Sequence, residues 1–396
     1  MRIDLFRMER TQCLYENEVD FNLSESGVLP LRVEEILQGA QDSAAFLSLG
    51  LKYPESDGSE ELREHIASWY GATRDHVLVT NGGSEANFTA LWGLLEKGDH
   101  AAVMLPNYLQ TWGLCRGYAA RTTGFPLVEG RESSNGKARW ALDLEGLHRA
   151  VSKKTRLIVV TNPNNPTGAV LNQQEMDEVV RVARRARAWL LVDEIYRGAE
   201  VSGPLTPTFW GRYDKLLITS GLSKAFGLPG LRLGWIVAPP KTIAKLCSYH
   251  DYTTLTPTIL SDRLAQRVME PARREQILER TRTIIRRNLP RLETWIHAHD
   301  DIFSYIPPVA GAITFFRYRL PISSTALFDQ LRKERSVLIT PGDHFGLGRY
   351  IRVGYGYDVE YTLRGLARVD LTLEALQRKA SASKSVRGET ARRGAA

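Results

Sequence analysis

No stretch of the chain is apolar for long enough to span a membrane, and the first ten residues, MRIDLFRMER, carry too much charge for a secretory signal. Cysteine is scarce. Cys13, Cys115 and Cys247 are odd in number and far apart, which supplies neither a disulfide framework nor a metal-ligand spacing and points to a reducing cytoplasm. Acidic residues are outnumbered, 45 against 52 Lys and Arg, for a net charge of +7. That surplus is not spread over a binding face. The tail RKASASKSVRGETARRGAA (378–396) holds six basic residues, one acidic residue and almost nothing to bury, so it reads as disordered and solvated. The remaining body is nearly neutral, and no nucleic-acid or membrane partner is expected. At 396 residues, 43% hydrophobic and 24% charged, the chain has room for two domains.

What is abundant is alternation. Short apolar runs at 77–80, 101–105, 155–161, 189–192, 215–219 and 233–238 read as strands, and helical patterns at 85–96, 109–119 and 173–188 fall between them. Fully apolar strands separated by amphipathic helices mean a largely parallel sheet covered on both faces, and such sheets bind ligands beyond the strand C-terminal ends.

Residues able to do chemistry stand just there. After the first strand comes Asn81-Gly82-Gly83-Ser84-Glu85: two glycines allow close backbone approach, and a helix opening at Ser84 offers amides and a hydroxyl to an anion. A plain Ser-capped turn would read the same. Tyr108 follows the second strand. NPNNPTG (162–168) follows the third, and its two prolines exclude helix and hold Asn165 on a kinked, extended path. Asp193 and Tyr196 follow the fourth; a carboxylate at the end of an apolar strand needs a cation or several hydrogen bonds. GLSKAFGLPGLRLGW (221–235) follows the fifth and sets Lys224 and Arg232 among small and apolar neighbours. Together these ask for a ligand with a phosphate, a stackable ring, a basic ring nitrogen and a carbonyl that condenses with lysine. Pyridoxal 5′-phosphate has all four.

In the spacing of 221–234, in NPNNPTG, in Asp193-x-x-Tyr196 and in Arg352 within Tyr350-Ile-Arg-Val-Gly354, the chain resembles the class I/II aminotransferases, fold-type I pyridoxal-phosphate enzymes, from about residue 21 to about 371. The resemblance implies an α/β fold: a large cofactor domain at 49–283 with a mainly parallel seven-stranded sheet, and a smaller α/β domain at 284–377 joined by the segment 1–48. It implies that Lys224 binds the cofactor and moves the proton, that Asp193 keeps the ring nitrogen protonated, and that Asn165 and Tyr196 bond the phenolic oxygen. Tyr108 would stack on the ring, with Gly83, Ser84 and Arg232 on the phosphate and Arg352 and Asn165 on the substrate carboxylate. Tyr53, in Tyr53-x-x-x-x-Gly58-x-x-x-Leu62, matches a segment that reaches the other subunit's phosphate, so a homodimer is implied.

Two positions depart from the family pattern. Gly221 stands where a phosphate-binding Ser or Thr is usual, leaving Ser220 or Ser223 to substitute. Gly27, beside Ser26, occupies the place of a glycine loop that contacts the substrate carboxylate. The Ser-x-Ser-Gly-Val run and the GLPGLR form also resemble ring-forming members of the capreomycidine synthase kind. The expected reaction is amino-group transfer between an α-amino acid and a 2-oxo acid, the alternatives being a lyase or cyclase reaction with the same residues, and a non-catalytic regulator.

Overall fold

The computed structural model describes residues 3–118, 121–131, 136 and 138–393. The chain opens with α1 (Arg7–Tyr15), β1 (Phe21–Asn22), α2 (Val33–Ile36), α3 (Gly39–Leu47) and α4 (Glu60–Tyr70). There follow β2 (Val77–Thr80), α5 (Gly83–Leu94), β3 (His100–Leu105), α6 (Gln110–Tyr118), β4 (Arg121–Arg131), β5 (Ala138–Leu142), β6 (Thr155–Thr161), β7 (Trp189–Asp193), β8 (Leu216–Gly221) and β9 (Gly234–Val237). These strands form one sheet in the order β2-β9-β8-β7-β6-β3-β4-β5. Pairing is parallel for β3–β4, β3–β6, β6–β7 and β7–β8, and antiparallel where β9 lies between β2 and β8 and where β5 meets β4. Since β2 and β8 both run against β9, β2 points the same way as β8, and its C-terminal end reaches the same edge.

The sheet has eight strands, where the sequence predicts seven. Pro126 lies within β4, where it pairs with Leu105 at the last rung of the β3 ladder, and the β5 ladder starts one residue later, at Leu127. Proline is tolerated at such a ladder end.

Alternate strand residues feed two cores, as a period of two requires. Leu78, Val103, Val159, Leu191, Leu217 and Ile236 pack on one face. Val79, Met104, Val160, Val192, Ile218 and Trp235 pack on the other. Each fully buried aliphatic side chain contributes about 1.5–3 kcal/mol, so a sheet apolar on both faces is a stiff support. Helix Gln173–Ala186, with an Asn172–Glu175 capping box, fills the β6–β7 crossover.

Beyond the helices Pro240–His250, Ile259–Met269 and Pro271–His297 lie β10 (Phe303–Ser304), β11 (Ile313–Tyr318), β12 (Val337–Leu338), β13 (Thr340–Pro341) and β14 (Tyr350–Gly354). A second sheet runs β10-β11-β14-β13, and β1 pairs in parallel with β12, which ties the start of the chain to its C-terminal third. The last helix spans Val359–Arg393. Helical backbone thus continues through 378–393, where the sequence predicts disorder. Ala, Lys, Arg and Glu favour helix there, and Leu366, Val369 and Leu373 anchor the helix they extend. Residues 394–396, like Ala119 at the end of the second predicted helix, lie outside the described residues.

Candidate active site

A cavity of about 340 Å³ opens at the sheet edge where β2, β3, β6, β7 and β8 end. It is lined by Gly83, Ser84, Tyr108, Asn165, Asp193, Tyr196, Ser223, Lys224 and Arg232, brought together from five separate connections.

Asp193 is the last residue of β7 and is 8% exposed. Oδ2 accepts from Asn87 Nδ2 (3.1 Å) and Oδ1 from the Ile195 amide (3.0 Å). Thr219 on β8 donates to Asn87 Oδ1 (2.7 Å), which leaves the Asn87 amino group to face the carboxylate. Burial pushes the Asp193 pKa up, against those two hydrogen bonds. A carboxylate so placed, with no cation among its contacts, is suited to a positively charged ligand atom. Tyr196 lies three residues on and is 2% exposed, and its hydroxyl has no hydrogen-bond partner among the described residues. A buried phenol without a partner costs about 1–3 kcal/mol, so it marks a place for a ligand acceptor or donor.

The turn after β2 forms an anion cradle. Gly82 has φ 94°, a conformation that favours glycine, and a Cβ there would come within 2.6 Å of the end of the Arg232 guanidinium. The α5 amides begin at Gly83, and Arg232, itself at φ 46°, lies across the turn. Gly221 is equally constrained: a Cβ would stand 2.8 Å from the Leu233 carbonyl and 3.0 Å from Gly234 Cα on the neighbouring strand. A hydroxyl-bearing residue does not fit. Of the two nearby serines, Ser220 is buried and donates to the Glu194 carbonyl (3.3 Å), whereas Ser223 lines the cavity.

Three expected residues do not line the cavity. Arg352 on β14 is 1% exposed and sits behind Asn165, donating to Asn165 Oδ1 (2.9 Å), the Ser24 carbonyl (2.6 Å) and Thr340 Oγ1 (3.1 Å). Met8 Sδ lies 3.9 Å from the same guanidinium, and burial lowers its pKa. Arg349, its neighbour in sequence, has φ 60° and none of these contacts. Gly27 packs behind the lysine, where a Cβ would meet the Ser223 carbonyl at 3.2 Å and Lys224 Cδ at 4.0 Å. Tyr53 is 82% exposed and away from the cavity.

The sequence reading misses Asn87 and, apart from Ser26, one whole wall. Asn87 has a local signal, a lone amide on the buried face of an otherwise apolar helix. The wall is α1 with the segment after β1, contributing Met8, Glu9, Gln12, Cys13, Glu16, Glu25 and Ser26. Glu9 accepts from the Tyr108 hydroxyl (2.8 Å), Phe6 packs edge-on against the Tyr108 ring at 4.9 Å, and Gln12 bonds Ser24. Nothing within α1 announces this, because each contact joins residues far apart in the chain.

The profile of the family described as aminotransferase class I and II matches residues 18–369. Capreomycidine synthase of Streptomyces vinaceus is 31% identical over 79% of this chain and 78% of its own length. An aspartate aminotransferase of Streptomyces avermitilis is 26% identical over 81% of each. Among solved structures, a PLP-dependent aminotransferase from Streptococcus suis superposes with a TM-score of 0.86 at 30% identity, covering 95% of this chain and 99% of that one. With the lysine, the carboxylate and the anion cradle set on the edge of one α/β sheet, the chain belongs to the class I and II aminotransferases and has the fold-type I architecture.

Proposed function

We propose that this enzyme moves an amino group from an α-amino acid to a 2-oxo acid, using pyridoxal 5′-phosphate held over the ends of β2, β6, β7 and β8. The observation that carries the reading is the buried Tyr196 hydroxyl, without a hydrogen-bond partner among the described residues, in one cavity with Lys224 and the buried Asp193 carboxylate. When bound, the cofactor supplies a carbonyl that condenses with primary amines and a protonated ring that draws electrons from the substrate Cα.

The side chains divide the remaining work. Lys224 Nζ would hold that carbonyl at rest and, once the substrate amine takes its place, would be free to move the substrate Cα proton. Asp193, oriented by Asn87, would keep the ring nitrogen protonated. Asn165 Oδ1 accepts from Arg352, which would leave the Asn165 amide N–H and the Tyr196 hydroxyl for the ring's phenolic oxygen. Tyr108 would face the ring. The Gly83 amide, the Ser84 and Ser223 hydroxyls and the Arg232 guanidinium would hold the phosphate. Arg352, behind Asn165, would receive the substrate α-carboxylate, with Gly27 leaving room beside Lys224.

The enzyme acts as a cytoplasmic homodimer in amino-acid metabolism, with biosynthesis the favoured setting. Leu47, Leu51, Tyr53, Tyr252 and Leu255 are exposed apolar or aromatic side chains suited to a second copy, and Tyr53 would reach its phosphate site. Residues 284–377 with 1–48 would close as a small domain over 49–283, leaving the basic tail solvated. Among the described residues no helix is long and apolar enough to cross a membrane.

A second reading, a lyase or cyclase on the same residues, is favoured by the likeness to capreomycidine synthase. An absorbance screen of amino acids against the holoenzyme separates the two. A transaminase converts the cofactor to its amine form and needs a 2-oxo acid to return. A lyase or cyclase returns unaided, and conversion by no amino acid would overturn both.

A further inference from the structure

One fully buried acid stands directly behind the site and takes no part in the roles given above. Glu194 comes one residue after Asp193, and its amide still bonds the Thr219 carbonyl of β8 (2.8 Å). Strand alternation therefore carries through to it and turns its side chain to the opposite face of the sheet, the face of Val192 and Trp235. Glu194 Oε1 accepts from the Thr208 hydroxyl (2.9 Å) and the Phe209 amide (2.9 Å), while Oε2 has no hydrogen-bond partner among the described residues. Arg197 is turned to other groups. Its Nε donates to the Thr206 carbonyl (2.9 Å), its guanidinium lies 4.6 Å from the centre of the Trp69 ring, and Nη1 has no partner among the described residues. Tyr70 of α4 accepts from Trp235 Nε1 (3.2 Å), and Arg274 reaches the Trp69 ring at 5.8 Å from the helix Pro271–His297. Burial pushes the Glu194 carboxyl up to about 7; Arg197, the Phe209 amide and Thr208 pull it down, and Asp193 pushes it up again. Burial holds the Tyr70 phenol protonated far above that range, and arginine side chains stay charged. Glu194 is thus the group in this cluster whose charge changes near neutral pH.

We propose that Glu194 is a positioning residue for amino-group transfer: its charge, on the far side of the β7 end, adds to that of Asp193 in keeping the ring nitrogen protonated. The inference rests on the aminotransferase reading and gives that site a second carboxylate, one that touches neither substrate nor cofactor. A negative charge beside Asp193 favours the cationic form of a ring nitrogen held there, and in a dry interior it is little screened. Once Glu194 takes up a proton that support is withdrawn, and Cα proton removal should slow by about three- to tenfold. A glutamine in its place keeps an acceptor for Thr208 and Phe209. A role confined to fastening the 206–209 loop would therefore leave Glu194→Gln near native at every pH.

The first readout is the single-turnover rate of the holoenzyme with a saturating amino acid, followed by absorbance from about pH 6 to about pH 8. The native rate should rise about three- to tenfold as the pH passes about 7, and Glu194→Gln should keep the low-pH rate and lose the rise. Thr208→Val removes one hydrogen bond to the ionised form, so it should move the rise to higher pH without abolishing it. That variant carries the test by itself if Glu194→Gln does not fold. The second readout does not depend on turnover: denaturant melts of the holoenzyme at about pH 5 and about pH 8. The folded-state value lies above the ordinary 4.5, so the fold favours the protonated acid, and stability is lost as the pH rises from about 4.5 through about 7. The native protein should lose more over that interval than Glu194→Gln. Identical rate profiles in native and Glu194→Gln, a rise that stays in place in Thr208→Val, or parallel stability losses each overturn the role of Glu194 and leave the aminotransferase reading intact. Absence of any spectral response of the native enzyme to every amino acid overturns both.

Discussion

The two walls of the cavity are held in different ways. The cofactor-facing wall is made of strand ends: Asp193 closes β7, Lys224 stands three residues past β8, and the Gly82–Gly83 turn follows β2, each continuous with a ladder paired on both sides or one step from it. The facing wall is a nine-residue helix, α1, whose single buried side chain is Met8 and which is attached by Glu9, Phe6, Gln12 and Tyr15, the last packed against Phe328 and Arg332. A proton-transferring amine has to be placed to within tenths of an ångström, and only over-determined backbone does that. A wall that admits and releases substrate works from the low-stability end of the structure. On the proposed roles, substitutions on the sheet side should act on catalysis itself, and those on the α1 side on access.

The largest effect is expected at Lys224. Lys224→Ala should abolish turnover while leaving a folded protein that still holds the cofactor without a covalent bond. Borohydride reduction of the native enzyme followed by peptide mapping checks the assignment, and a pyridoxyl group on any other lysine would sink it. Asp193→Asn comes next. The variant should still bind the cofactor but remove the Cα proton slower by orders of magnitude, since an amide does not hold the ring nitrogen protonated. Asp193→Glu should be milder. Asn87→Ala should move in the same direction by less, because the Ile195 amide still orients the carboxylate. Near-normal single-turnover rates in Asp193→Asn would remove the division between the walls.

The same contrast decides what could be read from the sequence. β6 is legible because its centre, Leu157–Val160, is apolar throughout and lies between parallel neighbours. The strand-end residues are legible because glycine, proline and a lone charge after an apolar run are local signals. β4 and β5 are not, since their ladder is set by pairing with β3 and a proline inside it looks like a break. Nor is α1, a polar surface helix whose role comes from contacts about a hundred residues away at Tyr108 and more than three hundred away at Arg352. Gly221 gave a partial signal: the departure from the usual hydroxyl was visible, but its cause, the Leu233 carbonyl behind it, was not.

Arg352 bridges the walls, and its loss should cost less than that of Lys224 or Asp193. Breaking a buried, hydrogen-bonded charge pair with a substrate carboxylate costs about 2–5 kcal/mol. Arg352→Ala should lower kcat/KM for an α-amino acid accordingly, whereas the decarboxylated amine, already a poor substrate, should be nearly indifferent. Equal losses for both would make the arginine structural, acting only through Asn165 and Thr340.

A smaller effect belongs to Glu85, which fastens the anion cradle to the 250–256 loop. Burial alone would raise its pKa. Hydrogen bonds from His250, Thr253, the Asn81 amide and Thr254 instead hold it at about 2, against an ordinary 4.5. The folded-state value is the lower one, so the stabilisation is complete above the ordinary value and is lost as the pH falls from about 4.5 towards 2. Denaturant melts at pH 5 and pH 3 should show the native protein losing more stability than Glu85→Gln over that interval. Parallel losses would mean that the carboxylate is not held as the structure has it.

The smallest effect tests the weaker wall directly. If α1 is held chiefly by a few side-chain contacts, its amides should exchange with solvent well before those of β7, which open only with the whole sheet. The Tyr108–Glu9 hydrogen bond couples this helix to Tyr108, the residue proposed to face the cofactor ring, and a hydrogen bond of this kind contributes about 1 kcal/mol. Glu9→Gln, Tyr108→Phe and the double variant form a cycle, read out as the opening free energy of the α1 amides. A coupling of about that size, with β7 exchange unchanged, fits a helix latched to the ring wall from outside. If the two substitutions instead add independently, α1 is held by Met8 and Phe6, and access at this wall would then depend on packing. If α1 and β7 exchange together, the walls form one cooperative unit, and the separation of chemistry from access fails at its physical root.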